Sequence, residues 1–368
     1  MPRRCAILAR MAQLPADLDE VRSRFDRELC GAMARIDQRL VGLHSDLRPL
    51  SEELRAFVNG GGKRLRPVLL LVGFRAAGGA DITPALGPAL GVELLHTSAL
   101  VHDDLVDAAA TRRGRPTAHV AFADRHRDAG WAGRAEAFGA SAALLLGDLA
   151  FVLADELFAE AAADVPPQRF VAALRSFTAM REELSAGQFL DLVAAHDQQA
   201  SPAAALAIAS YKSGRYSVAR PLEIGAILAA GEGPVSRALR AAGVPLGEAF
   251  QLRDDILGVF GSEVETGKSA RSDLAQGKRT LLVALTMQRL RDDQRSRFES
   301  VFGKPDLTAA EADQLRDLIS SSGGLAATEA KVGQLAAEAR TAIDASPIAP
   351  DERRLLHELA AVLVERRR

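Results

Sequence analysis

The chain has few cysteines, few aromatic residues and little net charge, and each scarcity excludes a class of protein. Its two cysteines, Cys5 and Cys30, are too few for a disulfide framework or a cysteine-ligated metal site. This usage indicates a reducing, cytoplasmic location. The net charge of −2 supplies no broad positive field, so neither nucleic acid nor an acidic membrane is expected as a partner.

Long apolar runs and alternating strand patterns are also missing. The longest apolar stretch, residues 142–158, is broken by Asp148, Asp155 and Glu156, whereas a bilayer-spanning helix needs roughly 18 apolar residues. No stable membrane anchor is therefore expected. Aromatic residues make up only 5% of the chain, while alanine and leucine, two strong helix formers, dominate. The composition predicts an all-α protein.

Apolar residues at helical spacing predict a series of helices separated by glycine and proline clusters. The polar segment 123–134 is expected to form an exposed connector or a short surface helix. Residues 1–20 are expected to be a flexible tail, followed by one helical domain over residues 21–368. The predicted helices cover residues 65–74, 85–106, 138–158, 170–192, 203–228, 235–259, 280–290 and 353–364.

Carboxylates interrupt two of these apolar stretches: Asp103, Asp104 and Asp107 in the first, and Asp254 and Asp255 in the second. Carboxylates among apolar side chains are costly unless a cation or hydrogen bonds compensate them. Asp103 and Asp107 are one helical turn apart and share a face. A solvated helix surface is the plain alternative, but the apolar flanks and the repetition disfavour it. The pattern predicts two clusters that bind Mg²⁺ across a central apolar cavity.

Two glycine-containing turns carry the cations that such a cavity needs for an anionic ligand. Lys63 and Arg66 follow three consecutive glycines, whose backbone amides can approach a phosphate. Arg112 and Arg113 precede Gly114, and an anion between these adjacent arginines would relieve their repulsion. A helix end with solvated charges is the alternative for the first turn, and a plain surface turn is the alternative for the second. The Walker pattern is absent.

Lysine is rare, because only 6 of the 46 basic residues are lysines. A lysine in a chain that otherwise prefers arginine indicates a position that needs a compact ammonium group. The candidate ligand contacts are Lys212, which precedes a serine, and Lys268 and Lys278, which each follow a glycine. The alternative is that these lysines only decorate helix ends. His96 and His102 are six residues apart and do not share a face, so a metal site between them is not expected. A core histidine or a donor to phosphate is the prediction for each.

The ordered set of motifs over residues 50 to 290 resembles the trans-isoprenyl diphosphate synthases, or polyprenyl synthetases, and especially the bacterial geranylgeranyl diphosphate synthases. No single motif is specific, but their order along the chain is. The motifs are Gly62-Lys63-Arg64-Leu65-Arg66-Pro67, Asp103-Asp104-Leu105-Val106-Asp107 with Arg112-Arg113-Gly114, Gly187-Gln188-Phe189-Leu190-Asp191, Lys212-Ser213, Phe250-Gln251 with Asp254-Asp255, and two Gly-Lys pairs.

This resemblance implies an all-α, isoprenoid synthase-type bundle around a central apolar cavity, and a homodimer. It implies that Asp103, Asp107 and Asp254 hold Mg²⁺ on an allylic diphosphate, with Asp104 and Asp255 in support. The implied further contacts to that diphosphate are Arg112, Lys212, Ser213, Gln251, Lys268 and Lys278. The implied contacts to isopentenyl diphosphate, the second substrate, are Lys63, Arg66, His96 and Arg113.

Three positions depart from the family pattern. Gly258 stands where many members have a third aspartate, which leaves one metal contact in question. Ser213 replaces a common threonine and keeps the hydroxyl group. Arg271 stands where glycine is frequent, in the loop expected to close over the ligand.

Product length is expected to depend on the turn before the first acidic motif, where resembling enzymes stop chain growth with bulky side chains. Ser98 and Ala99 are small, so the tail is expected to pass the C15 stop. Leu95, one turn deeper, or a residue such as Phe189 would form the floor. The expectation is geranylgeranyl diphosphate (C20), with C25 or a longer product as the alternative.

Two further alternatives come from other functional classes. A class I terpene cyclase also carries an aspartate-rich helix, but it does not need two basic sites for two diphosphates. A non-catalytic partner subunit commonly loses its acidic motifs, whereas both motifs are present here.

Overall fold

The computed structural model describes residues 16–62, 64–197, 201–261 and 271–364, and almost all of its regular structure is helical. The all-α prediction is therefore confirmed. The chain divides into two compact units. The first consists of Met1–Leu71 and Ala80–Phe170, and the second of Val72–Gly79 and Val171–Arg368.

Unit 1 is built from the N-terminal helices and one small hairpin. Helix α3 continues from it into unit 2. Its elements are α1 (Ala16–Leu43), a 3-10 turn (Ser45–Leu47), α2 (Arg48–Asn59), α3 (Leu65–Ala76), α4 (Thr83–Val106), β1 (Thr111–Arg112), β2 (Arg115–Pro116), α5 (Ala118–Asp128), α6 (Ala135–Ala159) and a second 3-10 turn (Glu160–Ala163).

Helix α4 is the central element of unit 1, because apolar residues cover nearly all of its surface and most of them are buried. It packs against α6 at very short range. A Cβ on Gly91 would lie 2.6 Å from the carbonyl oxygen of Ala154, and a Cβ on Gly87 would lie 2.7 Å from that of Leu157. Glycine at these two positions thus lets the helix backbones touch, and this contact fixes the helix that carries the first acidic motif.

Unit 2 contains the remaining helices, beginning within α7. Helices α8 and α9 are joined without a break by a π-helix of 11 residues. The elements are α7 (Pro167–His196), α8 (Pro202–Ile208), the π-helix (Ala209–Ala219), α9 (Arg220–Ala230), α10 (Pro234–Phe260), α11 (Ser272–Ala275), α12 (Leu281–Met287), α13 (Asp292–Glu299), α14 (Ala309–Ser321), α15 (Gly324–Asp344) and α16 (Pro350–Val364).

The π-helix packs on α10 through facing glycines. A Cβ on Gly247 would lie 2.2 Å from the carbonyl oxygen of Gly214, and a Cβ on Gly243 would lie 2.6 Å from the Cα of Ala219. Any larger side chain at these positions would push the two helices apart. The close contact holds the lysine-bearing segment against the helix that carries the second acidic motif.

Each predicted helix is present, and the differences lie at the ends and in the polar segments. Helix α1 begins at Ala16, before the predicted boundary at residue 21, and Leu18 within it is fully buried. Half of the segment expected to be a connector or a surface helix, residues 123–128, belongs to α5, which buries Phe122 and His126. Residues 1–15 lie outside the described part of the chain. The single domain over residues 21–368 stays a prediction.

Helix α6 and its 3-10 extension, Ala135–Ala163, are long and apolar enough to cross a membrane by length and composition, with a mean hydropathy of 1.9 over the best window. The expectation that no segment is long and apolar enough is wrong by this criterion, because the interrupting carboxylates do not lower the mean hydropathy of the window sufficiently. Of that window, 39% is buried inside the protein. Core helices of soluble proteins meet the same criterion, so the finding alone is weak support for a membrane span.

Candidate active site

The first acidic motif ends helix α4 with its carboxylates in different environments. The amide of Asp107 donates a hydrogen bond to the carbonyl oxygen of Asp103 at 2.8 Å, so the two residues remain one turn apart. Asp103 is partly buried and Asp107 is exposed. Asp104 is 1% exposed. Its buried charge is compensated by Arg112, whose Nε lies 2.8 Å from both carboxylate oxygens.

Arg112 therefore contacts the acidic motif itself, where the sequence predicted a contact to the ligand. Its Nη2 also lies 3.4 Å from Oδ2 of Asp103. Burial opposes the guanidinium charge, but the hydrogen bond and negative charge of Asp104 outweigh it, and the pKa of Arg112 is raised. Asp104 thus orients Arg112 beside Asp103, and its supporting role at a metal site stays a prediction.

A two-residue hairpin places the next arginine. Thr111 pairs with Pro116 and Arg112 with Arg115, and the turn residues Arg113 and Gly114 have φ values of 54° and 74°. Two consecutive positive φ values are typical of a type I′ turn. An arginine in this region costs roughly 1–2 kcal/mol relative to the right-handed conformation. The strain is retained at a residue that the sequence assigned to ligand binding.

The arginines of the two basic turns converge around His96 in unit 1. Burial and the charges of Arg66, Arg113, Arg112 and Arg64 hold the pKa of His96 well below its usual value. The imidazole is therefore neutral at physiological pH and can both donate and accept a hydrogen bond. Such a gathering of cations around a neutral donor is a suitable place for an anion with several oxygens.

The glycine-rich bend and the hairpin meet within this cluster. A Cβ on Gly62 would lie 3.5 Å from Nη1 and Nη2 of Arg113, so the guanidinium group lies against the bend. Burial lowers the pKa of Arg113, and the charges of Arg112, Arg64 and Arg66 add to that effect, with Glu93 acting in the opposite direction. Lys63 lies outside the described residues. The structure thus brings the two predicted basic motifs together.

Arg64 has a structural role that the sequence did not reveal. Its guanidinium group forms an ion pair with the buried carboxylate of Glu93 on α4, and its Nη2 donates to the carbonyl oxygen of Val58 at 2.8 Å. Its φ of 48° places the backbone in the left-handed region. These contacts fix the bend between α2 and α3 against α4. The remaining arginines of the cluster are thereby held near His96.

The second acidic motif lies in unit 2, on α10. Gln251 donates from Nε2 to Oδ1 of Asp255 at 2.7 Å, as their spacing of one turn permits. Burial raises the pKa of Asp255 to about 7, and the charges of Asp273 and Asp254 add to this effect, while Gln251 and Lys278 oppose it. Burial and the two neighbouring carboxylates all oppose the negative charge of Asp255, so a bound cation would stabilise its ionised form.

Asp255→Asn is expected to stabilise the metal-free protein above pH 7. The pKa of this carboxyl is about 7 in the folded state and 3.8 without the protein environment. The folded state therefore binds more protons than the unfolded state between these values, and stability falls as the pH rises through this window. The expected gain is roughly 4 kcal/mol at pH 8 and fades toward pH 4.

Thermal unfolding at pH 4, 6 and 8 with a chelator present measures this effect. Asp306→Asn removes an exposed carboxylate from the same unit and is the matched control. A gain from Asp255→Asn that did not depend on pH would contradict the assignment.

Lys212 lies on the π-helix, and its Nζ donates to Oδ2 of Asp191 on α7 at 2.6 Å. A Cβ on Gly187 would lie 2.4 Å from the backbone nitrogen of Lys212, so glycine permits this close approach. Glu183, also on α7, accepts hydrogen bonds from Arg220, including one of 2.7 Å. The predicted Gly187–Asp191 motif therefore positions the lysine. Lys268 lies outside the described residues.

The residues predicted to set product length occupy α4 as their spacing requires. Leu95 and Ser98 are 2% and 3% exposed, and Ala99 is partly exposed. Ala99 therefore has more room for a larger side chain than Ser98. Phe189 in unit 2 is 65% exposed. It is not buried in the core of that unit, so it stays a candidate for the floor.

The available donors fit Mg²⁺ when a ligand supplies the other oxygens. Among the described residues, no three Asp, Glu, His or Cys side chains form a complete metal site. Mg²⁺ commonly uses one or two carboxylates together with substrate phosphates and water. The oxygen donors of each acidic motif match that requirement, and histidine or cysteine ligation does not.

An all-α fold with an arginine cluster in one unit and an aspartate motif in each unit defines a protein suited to binding diphosphate esters. The chain matches the family model described as Polyprenyl synthetase over residues 48–319. It belongs to the polyprenyl synthetase family and is a prenyltransferase.

Individual relatives extend this result. The geranylgeranyl diphosphate synthase of Sulfolobus acidocaldarius is 31% identical over 277 residues, which are 75% of this chain and 78% of the relative. The geranylfarnesyl diphosphate synthase of Aeropyrum pernix is 29% identical over 312 residues, covering 84% and 92%. A crystal structure of geranylgeranyl pyrophosphate synthase from Corynebacterium glutamicum, complexed with isoprenyl diphosphate and magnesium, is 31% identical with a TM-score of 0.89, covering 95% of this chain and 99% of that one. The isoprenoid synthase fold is thereby confirmed.

Proposed function

We propose that the chain joins isopentenyl diphosphate to an allylic diphosphate (dimethylallyl, geranyl or farnesyl) and, with Mg²⁺, makes all-trans geranylgeranyl diphosphate. The single observation that carries this proposal is the arginine cluster around His96, because it is a second anion site beside the aspartate-rich helix. A prenyl transfer between two diphosphates needs two such sites. The similarity to geranylgeranyl diphosphate synthases supports the C20 product.

Isopentenyl diphosphate binds to the cationic cluster of unit 1. Arg66 and Arg113 supply charge to its phosphate oxygens, Lys63 adds an ammonium group, and the neutral His96 donates a hydrogen bond without adding repulsion. The low pKa of His96 keeps this arrangement constant across physiological pH. This substrate arrives without a leaving group to activate, so binding and orientation are the tasks of the cluster.

The allylic diphosphate binds to the aspartate motifs. Asp103, Asp107 and Asp254 are the residues that would hold Mg²⁺, which when bound neutralises the charge developing on the leaving diphosphate. Asp104 and Asp255 orient Arg112 and Gln251, their hydrogen-bond partners. The remaining contacts to this diphosphate are Lys212, Ser213, Lys268 and Lys278.

The reaction breaks the allylic carbon–oxygen bond and forms one carbon–carbon bond. The diphosphate leaves with the bonding electron pair, and the double bond of isopentenyl diphosphate attacks the allylic cation. Loss of one proton, taken by the released diphosphate, restores a double bond. Apolar side chains keep water away from the cation until the attack occurs.

Product analysis of the purified enzyme tests the proposed function. Incubation with isopentenyl diphosphate, each allylic primer and Mg²⁺, followed by chromatography, is expected to give a C20 diphosphate. A C25 or longer product would favour the alternative, for which the Aeropyrum pernix relative is the precedent. Diphosphate release from a primer alone would indicate a cyclase, and absence of turnover would indicate a partner subunit.

Arg113→Asn is expected to weaken isopentenyl diphosphate binding while stabilising the fold. Asparagine adopts positive φ more readily than arginine, so a gain of about 0.5–1 kcal/mol is expected. Loss of the guanidinium group should raise the KM for isopentenyl diphosphate by roughly tenfold or more. Thermal unfolding and initial rates measure the two effects.

Ala108→Asn is the matched control, because Ala108 also has a positive φ, of 49°, and carries no charge. It should stabilise the fold and leave that KM close to the parent value. An unchanged KM in Arg113→Asn would remove Arg113 from the binding site.

A cytoplasmic homodimer without a membrane anchor is the proposed form of the enzyme. Helix α6 exposes a row of apolar side chains in unit 1, and such a surface is typical of a protein interface. The exposed fractions are 50% for Leu144, 61% for Leu145, 38% for Phe151 and 62% for Val152. Light scattering should give twice the chain mass of 39.1 kDa, and fractionation should recover the protein without detergent.

A further inference from the structure

A carboxylate occupies the space beside Gly258, the position at which the second acidic motif departs from the family pattern. A Cβ on Gly258 would lie 2.0 Å from Oδ2 of Asp273 and 3.0 Å from its Cγ. The distance of 2.0 Å is far shorter than a real Cβ contact, so a side chain at residue 258 and the present position of the Asp273 carboxylate exclude each other. The departure therefore removes no negative charge from this location.

Residue 258 is on the face of α10 that carries the motif. It follows Asp254 by four residues and Asp255 by three, and both spacings place side chains on neighbouring parts of one helix surface. A carboxylate at this point belongs to the same cluster, whichever residue supplies it. The charge of Asp273 indeed acts on Asp255.

The Asp273 side chain is fixed where it lies. Its Oδ1 is 3.2 Å from Nζ of Lys278, and its side chain is 17% exposed. The backbone amide of Lys278 also donates to the carbonyl oxygen of Asp273 at 3.1 Å. The short helix α11 and the following turn thus present the carboxylate to α10 and hold the lysine beside it.

We infer that Asp273 supplies the third carboxylate of the second acidic cluster, in the space that a side chain at residue 258 would occupy, and that it positions Lys278 for the Mg²⁺-bound diphosphate. This inference rests on the proposed function. Asp273 acts as a positioning residue, since it orients Lys278 and adds negative charge next to Asp254 and Asp255. The plain alternative is an ion pair that only stabilises α11.

Metal binding separates the two roles, because an ion pair that only stabilises α11 would not change Mg²⁺ affinity. Isothermal titration of Mg²⁺ into the full chain with inorganic diphosphate should show at least roughly tenfold weaker binding for Asp273→Asn. Asp306→Asn, an exposed carboxylate in the same unit, is the charge-matched control and should bind as the parent does. Equal affinities of Asp273→Asn and the parent would overturn the inference.

An exchange of the two residues is the sharper test. Gly258→Asp alone should lower the unfolding temperature, because the new side chain meets Asp273. Gly258→Asp combined with Asp273→Gly moves the carboxylate to α10 and should restore Mg²⁺ affinity to within about threefold of the parent. If the combined variant bound Mg²⁺ no more tightly than Asp273→Gly, the inference would be wrong.

The parent protein distinguishes this inference from the proposed function. Absence of Mg²⁺-dependent diphosphate binding in the parent, together with no prenyl transfer, would overturn both. Normal binding and turnover in the parent, with no effect of Asp273→Asn, would overturn the inference alone.

Discussion

Replacement of either Asp107 or Asp254 by alanine is expected to reduce turnover by roughly 10³-fold, because each removes a carboxylate that would hold Mg²⁺ on the leaving diphosphate in the proposed mechanism. Asp107 is the C-terminal cap of α4, whereas Asp254 lies on α10 in the other unit. Each variant leaves the other carboxylates of its motif in place, so the change in rate reports the loss of one residue. Single-turnover rates at saturating substrate measure the effect on chemistry without a contribution from product release.

The controls are exposed aspartates in the same units, Asp128→Ala in unit 1 and Asp306→Ala in unit 2. Both should keep parental rates, and circular dichroism should show that all four variants remain helical. The Mg²⁺ concentration that gives half-maximal rate should rise in Asp107→Ala and Asp254→Ala. If either of these variants kept near-normal turnover, the proposed role of that residue in holding Mg²⁺ would be wrong.

Ala99→Phe is expected to change the main product from C20 to C15. Ala99 precedes Asp103 by one turn, so the two side chains share a face of α4. In the proposed mechanism the growing chain extends from a diphosphate held at Asp103, and a phenyl ring one turn away would block it. Ala99 is partly exposed, whereas Ser98 is buried, so the larger side chain can be accommodated at residue 99.

Chromatography of the products, with dimethylallyl diphosphate as primer, measures this change. Ala99→Ser is the matched control, since it changes the side chain with little change in volume, and it should keep the parental product. An unchanged product from Ala99→Phe would place the path of the chain elsewhere. Leu95→Ala shortens the side chain proposed to end the product cavity and should lengthen the product if the enzyme remains stable.

The helices that carry the site could be predicted because their apolar residues follow a helical period. Helix α4 is the clearest case, since its buried positions surround it and only the acidic motif interrupts them. Helices α1 and α2 were not predicted, because their polar residues hide the periodic core positions such as Phe25 and Leu54. Their existence depends on packing in unit 1 more than on local pattern.

Local geometry at the site could be predicted only in part. The spacing of Asp103 and Asp107 fixed their relative direction, and adjacent arginines indicated an anion site. The positive φ of Arg113 could not be predicted, because arginine usually avoids this conformation and nothing in the sequence marks the exception. The contact between Arg112 and Asp104 was not predicted either, because a sequence shows which charges exist but not which pairs form.

Contacts between distant segments were the least predictable part. Asp273 is separated from Gly258 by fourteen residues, nine of which, 262–270, lie outside the described part of the chain. The sequence therefore showed only a missing aspartate. A signal was present in hindsight, since an acidic residue lies between the two Gly-Lys pairs, but nothing in the pattern relates it to α10.

The π-helix has a consequence for comparing this enzyme with its relatives. Each added residue in a regular helix turns the following side chains by about 100°. The wider turns of a π-helix can contain an inserted residue without forming a loop. In this protein, the π-helix of 11 residues places Lys212 opposite Asp191. An alignment gap placed one residue away within this segment would therefore assign the lysine to a different helix face. In homologues, the length of the segment is as informative as the identity of its residues.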